Sequence, residues 1–493
     1  MKKYILAIDQ GTTSTTAILV DTKNYQVIDK VGIEFKQIYP TPGWVEHDLD
    51  EIWKTVKMSI QKVLVKNNIK ANQITSIGIT NQRETICAFN YDGQPLHNAI
   101  VWQDRRTHQF CKDNAEKYKG FRKKTGLPLD PYFSATKMNW LLNNCERVQE
   151  AQGKSDLKFG TIDTFLLYRL TGRKKFSTDI TNASRTLLMD LKTGKWDIEL
   201  LELFKIDSKT IPEIKESFGS FGVTSGLDFL PDDIPINCIL GDQQAALFGQ
   251  LGHKAGDFKC TYGTGAFALL NTGKTITFSD QGLLTTVAFK YNGEITYALE
   301  GSSYIAGAAV GYLRDNLEFI SKSSDVEKLA LEVENIDEMK NVLFLPFFTG
   351  LGSPYWISEA TGAILGLTRD TTKKHIALAC LEGIALSINE LVQAFEKDSP
   401  IKEIKVDGGA SSNNLLIQIQ SNILNRKILR PKEIETTGYG AALGAAVGYG
   451  SLSFEDLLAF WEIDKTFAPE EELTYFNQKE QLWKKAIKNL YLE

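Results

Sequence analysis

Residues 4–21, at the start of the chain, constrain its fold more than any other stretch. An apolar run from Tyr4 ends at Asp9, and Gln10, Gly11 and a row of hydroxyl-bearing residues follow before an apolar run that ends at Asp21. Apolar runs this short favour strands over helices, so the pattern predicts a strand, a turn and a second strand. A simple hairpin turn requires only glycine with asparagine or aspartate. This turn contains a carboxylate, a glycine and a row of hydroxyl groups.

The predicted turn has the groups that a nucleotide phosphate requires. The hydroxyls of Thr12, Thr13 and Ser14 can donate to phosphate oxygens, as can backbone N–H groups beside Gly11. Asp9 can hold Mg²⁺ directly or through water. An ordinary polar hairpin explains this stretch equally well when it is taken alone. The chain contains no GxxxxGK[ST] P-loop.

Composition limits the class of protein. A chain of 493 residues exceeds the size of a single core, which favours two or more large domains. The net charge of −5, with dispersed lysines and arginines, indicates neither a nucleic-acid partner nor a polybasic membrane surface. Six widely spaced cysteines without a CxxC pair argue for reduced thiols and against disulfides or zinc. With no signal-peptide core and no apolar run of membrane-spanning length, the sequence predicts a soluble, cytoplasmic protein without membrane insertion.

Charged side chains follow two further predicted strands. Arg83 and Glu84 come after the strand Ile74–Ile79, at the position where ligand groups gather in α/β sheets. A surface ion pair is an equal alternative. Asp242 opens a predicted helix next to the amide of Gln243, and it can be either a helix N-cap or a functional carboxylate.

The pattern of the first residues returns after Gly252, because Phe258–Asn271 again reads as a short apolar run, a Gly/Thr turn and a second apolar run. This predicts a second domain with its own phosphate-binding hairpin. A small-residue helix is predicted over Gly301–Asp315, and residues 181–186 read as a polar loop. Bare backbone at Gly408 and Gly409 would let a nucleotide lie against it.

The order of the motifs resembles the FGGY family of carbohydrate kinases, and within it the members that act on glycerol. The resemblance covers nearly the whole chain, and NQRET with GDQQAALFGQ is the part specific for glycerol. The motifs that carry it are IDQGTTS, GITNQRET, VWQDRRT, DPYFSATK, GTIDTFLL, NASRT, GDQQAALFGQ, TYGTGAF, GLGSPYW and VDGGASSNN.

The resemblance implies an α/β fold of two ribonuclease-H-like domains, of the actin/Hsp70 ATPase type, around an interdomain cleft. Residues 1–252 would form the domain that binds polyol and phosphate, and residues 253–493 the domain that binds the nucleotide. The implied reaction is ATP-dependent phosphorylation of glycerol to sn-glycerol 3-phosphate, the step by which glycerol enters catabolism. ATP and Mg²⁺ are the implied cofactors, and a homodimer or homotetramer is the implied assembly.

The resemblance also implies roles for individual residues. Asp242 would be the general base and Asp9 the Mg²⁺ ligand. The implied glycerol contacts are Arg83, Glu84, Trp102, Tyr132, Asp242, Gln243 and Phe267. The implied nucleotide contacts are Thr12, Thr13, Ser14, Thr264, Gly307, Gly311, Gly409, Ala410 and Asn413.

This chain departs from the family pattern on the nucleotide side. Thr16 stands where many of these kinases have arginine, and Gly311 where many have glutamine. The stretch Phe221–Pro235, where some members have a basic loop that binds fructose bisphosphate, contains three aspartates and no Lys, Arg or His. Two alternatives remain open: a kinase of the same family acting on another polyol or a ketose, and an Hsp70-like ATPase or actin-like filament protein.

Overall fold

The computed structural model describes residues 3–357, 359–470 and 473–492, which form two large mixed β-sheets with helices packed on them. The strands are β1 Tyr4–Gln10, β2 Ser14–Asp21, β3 Val27–Glu34, β4 Glu46–His47, β5 Ile74–Asn81, β6 Ile86–Phe89, β7 Ala99–Ile100, β8 Lys158–Thr161, β9 Ser177–Asp179, β10 Met189–Asp190, β11 Lys195–Trp196, β12 Glu213–Lys215, β13 Phe218–Val223, β14 Pro235–Gly241, β15 Asp257–Tyr262, β16 Ala266–Gly273, β17 Leu284–Tyr291, β18 Glu294–Ser303, β19 Leu343–Leu345, β20 Ala363–Leu365, β21 Glu403–Asp407, β22 Ile428–Pro431 and β23 Ile463–Phe467. The helices are α1 Leu49–Lys66, α2 His108–Tyr118, α3 Arg122–Thr125, α4 Ser134–Asn144, α5 Glu146–Gly153, α6 Ile162–Leu170, α7 Ile180–Ala183, α8 Ile198–Phe204, α9 Asp242–Gly249, α10 Gly307–Asp315, α11 Asp325–Ala330, α12 Lys373–Asp398, α13 Asn414–Leu424, α14 Thr436–Tyr449 and α15 Thr474–Ile487.

The two large sheets have the same internal plan. The N-terminal sheet has the order β13-β14-β5-β1-β2-β3, in which β1 to β3 form an antiparallel meander and β1, β5 and β14 run parallel. The C-terminal sheet has the order β17-β18-β16-β15-β21-β22-β23, with the hairpin β15–β16 next to the parallel strands β21 and β22. The expected α/β fold with two hairpin-bearing units is confirmed.

Helix α1 covers one face of the N-terminal meander. Asp48 caps it by accepting hydrogen bonds from the backbone N–H groups of Asp50 and Glu51. Its apolar residues at helical spacing, Ile52, Val56, Ile60 and Val63, are all fully buried. Burial of an apolar stripe of this kind holds a helix on a sheet.

Helix α14 comes late in the chain and packs on the N-terminal sheet. Its glycines at four-residue spacing touch the backbone or side chains of α9 and β14. A Cβ added to Gly440 would lie 1.9 Å from the carbonyl oxygen of Ala245, and one added to Gly448 would lie 2.0 Å from that of Asn237. Glycine at this spacing is typical of close helix packing, and α14 packs in that way.

Two predicted boundaries are wrong. Residues 181–186 are not a loop but contain most of the short helix α7, because the carboxylate of Asp179 accepts hydrogen bonds from the N–H groups of Thr181 and Asn182. The predicted helix Gly301–Asp315 begins only at Gly307, since Gly301 to Ser303 pair with β16 as the end of β18.

Helix α12 is long and apolar enough to cross a membrane, and no other helix within the described ranges meets that test. However, 89% of its most apolar window is buried inside the protein. It is a core helix of the C-terminal half, begun by a capping box between Thr372 and His375.

Candidate active site

The candidate site lies where three parallel strands of the N-terminal sheet end. β1, β5 and β14 finish side by side at Gln10, Asn81 and Gly241. The loop after β5 carries Arg83 and Glu84, and the helix after β14 begins with Asp242. The carboxyl ends of neighbouring parallel strands are where ligand groups converge in α/β sheets, and here they bring together charged residues that are far apart in sequence.

Arg83 is buried and contacts three acidic or amide groups. Its Nε lies 3.1 Å from Oδ1 of Asp242, and its Nη1 donates to Oε1 of Gln244 at 3.2 Å. Both terminal nitrogens also reach the carboxylate of Glu300, with Nη2 donating at 3.0 Å. Gly241 makes room for this side chain, because a Cβ there would lie 2.7 Å from Cδ of Arg83.

Glu84 is held in an unusual backbone conformation, with φ of 61°. Side chains other than glycine rarely adopt positive φ, and such residues cluster at functional sites. Its Oε1 accepts a hydrogen bond of 2.6 Å from Nε of Arg185. Burial raises the pKa of Glu84, and Arg185 and Arg83 oppose that shift.

Three aromatic side chains lie edge to face beside these charges. The ring of Trp102 is 5.5 Å from that of Tyr132 and 6.4 Å from that of Phe267, which comes from β16 of the C-terminal sheet. The indole N–H of Trp102 donates to Oγ1 of Thr12 at 3.0 Å. The local sequence alone favours Trp102 as a core residue. In the structure it is only half-buried and belongs to this aromatic group.

Asp242 is the first residue of α9, and the capping position before it belongs to Gly241. Its carboxylate is partly exposed, and its Oδ1 accepts from the N–H of Gln243 at 2.7 Å as well as facing Arg83. Burial raises the pKa of Asp242, while Arg83 lowers it. The simple N-cap interpretation is therefore wrong. The side chain of Gln243 contacts Lys259, because its Oε1 accepts from Nζ of Lys259 at 2.5 Å.

The hairpin between β1 and β2 is confirmed, and its turn is closed by a hydrogen bond of 2.9 Å from the N–H of Gly11 to the carbonyl of Ser14. Thr13 is exposed, and Thr12 and Ser14 are half-buried. Asp9 is half-buried on β1. Burial, Asp242 and Glu435 raise its pKa to about 8.

A cavity of about 740 Å³ opens in the C-terminal half beside the second hairpin. Its wall includes Tyr312 and Phe348, whose rings are 4.7 Å apart. The residues of the second half that the family resemblance implied for the nucleotide all line it: Thr264, Gly307, Gly311, Gly409, Ala410 and Asn413. The N-terminal residues Asp9, Thr12, Thr13 and Ser14 do not line it.

Gly408 and Gly409 are neighbours at this cavity, but the surroundings of their backbones differ. No atom lies within 4 Å of a Cβ placed on Gly409, so its backbone is open to the cavity. Gly408, in contrast, has φ of 83°, and a Cβ there would lie 2.7 Å from the carbonyl oxygen of Tyr262. Gly408 therefore packs against β15 on its Cβ side, and of the two glycines it is Gly409 that lines the cavity.

Sequence reasoning missed three charged residues of the site: Arg185, Lys259 and Glu300. All are buried. Glu300 carried a usable signal, since it is a carboxylate directly after the apolar strand run Tyr297–Leu299 and must find a cation when buried. The NASRT motif that contains Arg185 gives no local sign of its partners.

Known carbohydrate kinases match this chain along nearly its whole length. The model for the N-terminal domain of the FGGY family of carbohydrate kinases matches residues 4–249, and that for the C-terminal domain matches residues 258–449. The glycerol kinases of Thermococcus gammatolerans and Staphylococcus epidermidis are each 46% identical, and each alignment covers 99% of this chain and 98% of the relative. The solved structure of Plasmodium falciparum glycerol kinase with ADP matches with a TM-score of 0.90 at 35% identity, covering 99% of this chain and 98% of the other.

Proposed function

The chain belongs to the FGGY family of carbohydrate kinases, and we propose that it transfers the γ-phosphoryl group of ATP to glycerol, forming sn-glycerol 3-phosphate. Glycerol kinase activity follows from full-length relatives of that activity at 46% identity. One observation supports placing glycerol at the candidate site: Arg83, Glu84 and Asp242 lie together beside three aromatic rings.

Glycerol fits a site with mixed donors and acceptors on one side and rings on the other. Among the described residues, the hydrogen bonds of the Glu84 carboxylate use only Oε1, which leaves Oε2 as an acceptor for a substrate hydroxyl. Arg83 supplies a donor, and Trp102, Tyr132 and Phe267 pack against the carbon skeleton. A site that pairs each hydroxyl rejects analogues by up to ~10⁴-fold, because a missing partner leaves a buried group unsatisfied.

Asp242 is the proposed general base. Its Oδ1 is engaged by Arg83 and by the N–H of Gln243, so Oδ2 is the oxygen that accepts the proton of the attacking hydroxyl. The burial that raises its pKa makes the carboxylate a better proton acceptor. The carboxylate remains anchored by Arg83 while the phosphoryl group is transferred, and in such reactions alignment contributes more than covalent chemistry.

ATP is bound across the two halves in this proposal. The cavity beside the second hairpin takes the nucleoside, with Gly409 and Gly311 allowing close approach. The hydroxyls of Thr12, Thr13, Ser14 and Thr264 donate to the phosphates from the two hairpin turns.

Mg²⁺ is proposed at Asp9. The donor set fits a divalent cation, because the carboxylate of Asp242 lies close enough to Asp9 to raise its pKa, and Glu435 adds to the negative potential there. The described residues include no cluster of three or more His, Cys, Asp or Glu side chains that could hold a metal by itself, so phosphate and water oxygens would complete the ligands. When bound, the ion neutralises charge on the phosphates.

The test is ADP release by the purified protein with glycerol, erythritol, xylulose, dihydroxyacetone or no acceptor. We expect release to depend on glycerol and to be the fastest with it. Faster turnover of xylulose or erythritol would identify a kinase of the same family with another substrate. Equal release without any acceptor would identify an ATPase of the Hsp70 or actin type.

A further inference from the structure

Glu300 belongs to the C-terminal sheet, yet its carboxylate lies inside the charge cluster of the N-terminal sheet. It is on β18, opposite Leu269 of β16. Its Oε1 accepts from Nη2 of Arg83 at 3.0 Å and from Nη2 of Arg185 at 2.9 Å, and its Oε2 accepts from Nη1 of Arg83. The three side chains are 2% exposed or less.

The hydrogen bonds of Arg83 determine what it can offer to a substrate. A guanidinium has five N–H groups. Nε forms an ion pair with Asp242 at 3.1 Å, the two N–H groups of Nη1 are directed to Gln244 and Glu300, and one of Nη2 is directed to Glu300. One N–H of Nη2 remains, and the bidentate contact with Glu300 sets its direction.

Arg185 extends the same arrangement to the second proposed glycerol ligand. Its Nε donates to Oε1 of Glu84 at 2.6 Å, while its Nη2 donates to Glu300. Glu84 and Arg83 are therefore both fixed through one carboxylate that the other half of the molecule supplies. The two hydrogen bonds from Arg83 to the Glu300 carboxylate fix the orientation of the guanidinium and also pair its charge.

We propose that Glu300 and Arg185 are positioning residues for glycerol, which hold Arg83 and Glu84 in the geometry that binds its hydroxyls. This inference rests on the proposed glycerol site. Because Glu300 comes from the C-terminal sheet, the glycerol site is complete only while the two sheets are in contact. We call the contacts of Glu300 with Arg83 and Arg185 the clamp. Glycerol affinity then depends on contact between the two halves of the molecule. Nucleotide binding does not depend on the clamp, because the nucleotide cavity lies within the C-terminal half.

The test compares wild type with the E300Q variant in glycerol-dependent ADP release. Glutamine keeps the size of the side chain but loses the charge and one acceptor oxygen, so the Arg83 fork is no longer held on both sides. Small displacements of binding groups cost up to about 10²-fold. We expect the KM for glycerol to rise by about 10- to 100-fold and the KM for ATP to change by less than about threefold.

A matched control is E382Q. Glu382 is also a buried carboxylate of the C-terminal half, paired with Lys479 and Tyr475 away from the site. We expect E382Q to lower the melting temperature without changing the KM for glycerol. If E300Q behaves in this way too, its role is structural and the proposal is overturned.

If E300Q is insoluble, the same constants are measured on R185K, which keeps the charge but cannot bridge Glu84 and Glu300 as a fork. A raised KM for glycerol supports the clamp, and an unchanged one overturns it. The wild-type kinetics distinguish failure of the proposed function from failure of the clamp. If wild type shows no dependence on glycerol, the proposed function fails; if wild type depends on glycerol and both KM values of the variant are unchanged, only the clamp fails.

Discussion

At the scale of single residues, the site is a balance of buried charges around Arg83. Burial by itself would raise the pKa of Glu300, but Arg185 and Arg83 lower it to about 2. Charges buried in this way must be paired, because an unpaired one costs several kcal/mol. The same two arginines oppose the rise that burial causes in the pKa of Glu84.

Replacing Asp242 with asparagine should leave the fold intact and remove most of the activity. Asparagine retains an oxygen that can accept from Arg83 and from the N–H of Gln243, but it cannot accept the proton of glycerol. Loss of a general base costs about 10²- to 10⁴-fold in kcat. Steady-state kinetics measure the loss. Asp50→Asn, which removes a carboxylate from the first turn of α1, is the matched control and should keep its kcat. Retention of more than about a tenth of the wild-type kcat by Asp242→Asn would show that Asp242 is not the base.

Thr16→Arg should strengthen ATP binding. Thr16 pairs with Asp9 across the first hairpin and is half-buried, so an arginine there would extend from the same face as Asp9. A charge-assisted hydrogen bond to phosphate is worth ~1.5–3 kcal/mol, and we expect the KM for ATP to fall by roughly tenfold and the KM for glycerol to stay the same.

Saturation curves for both substrates test this expectation, with Ile28→Arg on exposed β3 as a control for added charge. An unchanged KM for ATP would mean that residue 16 points away from the nucleotide. A change in the KM for glycerol alone would contradict the placement of both ligands.

Lys137 should make stability depend on pH. Burial lowers its pKa to about 7, and its Nζ donates to the carbonyl oxygen of Tyr132 at 2.9 Å. In the unfolded chain the pKa is ~10.4. Between these values the unfolded state holds one more proton, so the free energy of unfolding rises with pH by about 1.4 kcal/mol per unit, and below about pH 7 this contribution is constant.

Urea unfolding of wild type and Lys137→Met at about pH 7.5 and about pH 8.5 measures this contribution. The advantage of wild type over the variant should grow by about 1 kcal/mol between the two conditions, and it should not grow in the comparison with exposed Lys340→Met. Equal pH dependence of wild type and Lys137→Met would contradict a neutral buried amine.

At the scale of elements, α14 is the helix whose packing partners its own sequence indicates least well. Its glycines predict close packing, but only the structure shows that the partners are α9 and β14 of the other half. Where helices approach at glycine, the backbone itself forms the contact surface. Such contacts tolerate no added methyl group.

Gly440→Ala should therefore destabilise the protein. Its Cβ would lie 1.9 Å from the carbonyl oxygen of Ala245, and overpacking of this kind costs about 1–3 kcal/mol. Gly153→Ala at the end of α5 is the matched control, because no atom lies within 4 Å of the new Cβ. It should be neutral or stabilising by up to ~1 kcal/mol. Thermal melts decide between these outcomes, and equal melting temperatures of the two variants would contradict the packing account.

At the scale of the whole molecule, the two sheets meet at the site through Arg83, Glu300 and the aromatic group. The division into residues 1–252 and 253–493 stays a prediction, and α14 shows that a helix from the second range packs on the first sheet. A homodimer or homotetramer also stays a prediction, which the molecular mass in solution would test.

Fructose 1,6-bisphosphate should not inhibit the enzyme. Within the stretch Phe221–Pro235, Asp232 and Asp233 are exposed, and Asp228 is exposed and paired with Lys57. This acidic surface repels a bisphosphate. Initial rates at saturating substrates, with and without millimolar effector, measure the effect, and inorganic phosphate controls for ionic strength. Saturable inhibition by the bisphosphate but not by phosphate would contradict the prediction.

The sequence by itself determined the local features of this protein. The two hairpins and the strand ends that carry Arg83 and Asp242 depend on patterns within a few residues, and the structure has them where they were predicted. Only the tertiary structure decided which charges share the site. Arg83, Arg185 and Glu300 are separated by more than a hundred residues from one another, and a buried ion pair has no periodicity or spacing. Partners are therefore chosen by how the two sheets pack and not by the sequence near each residue.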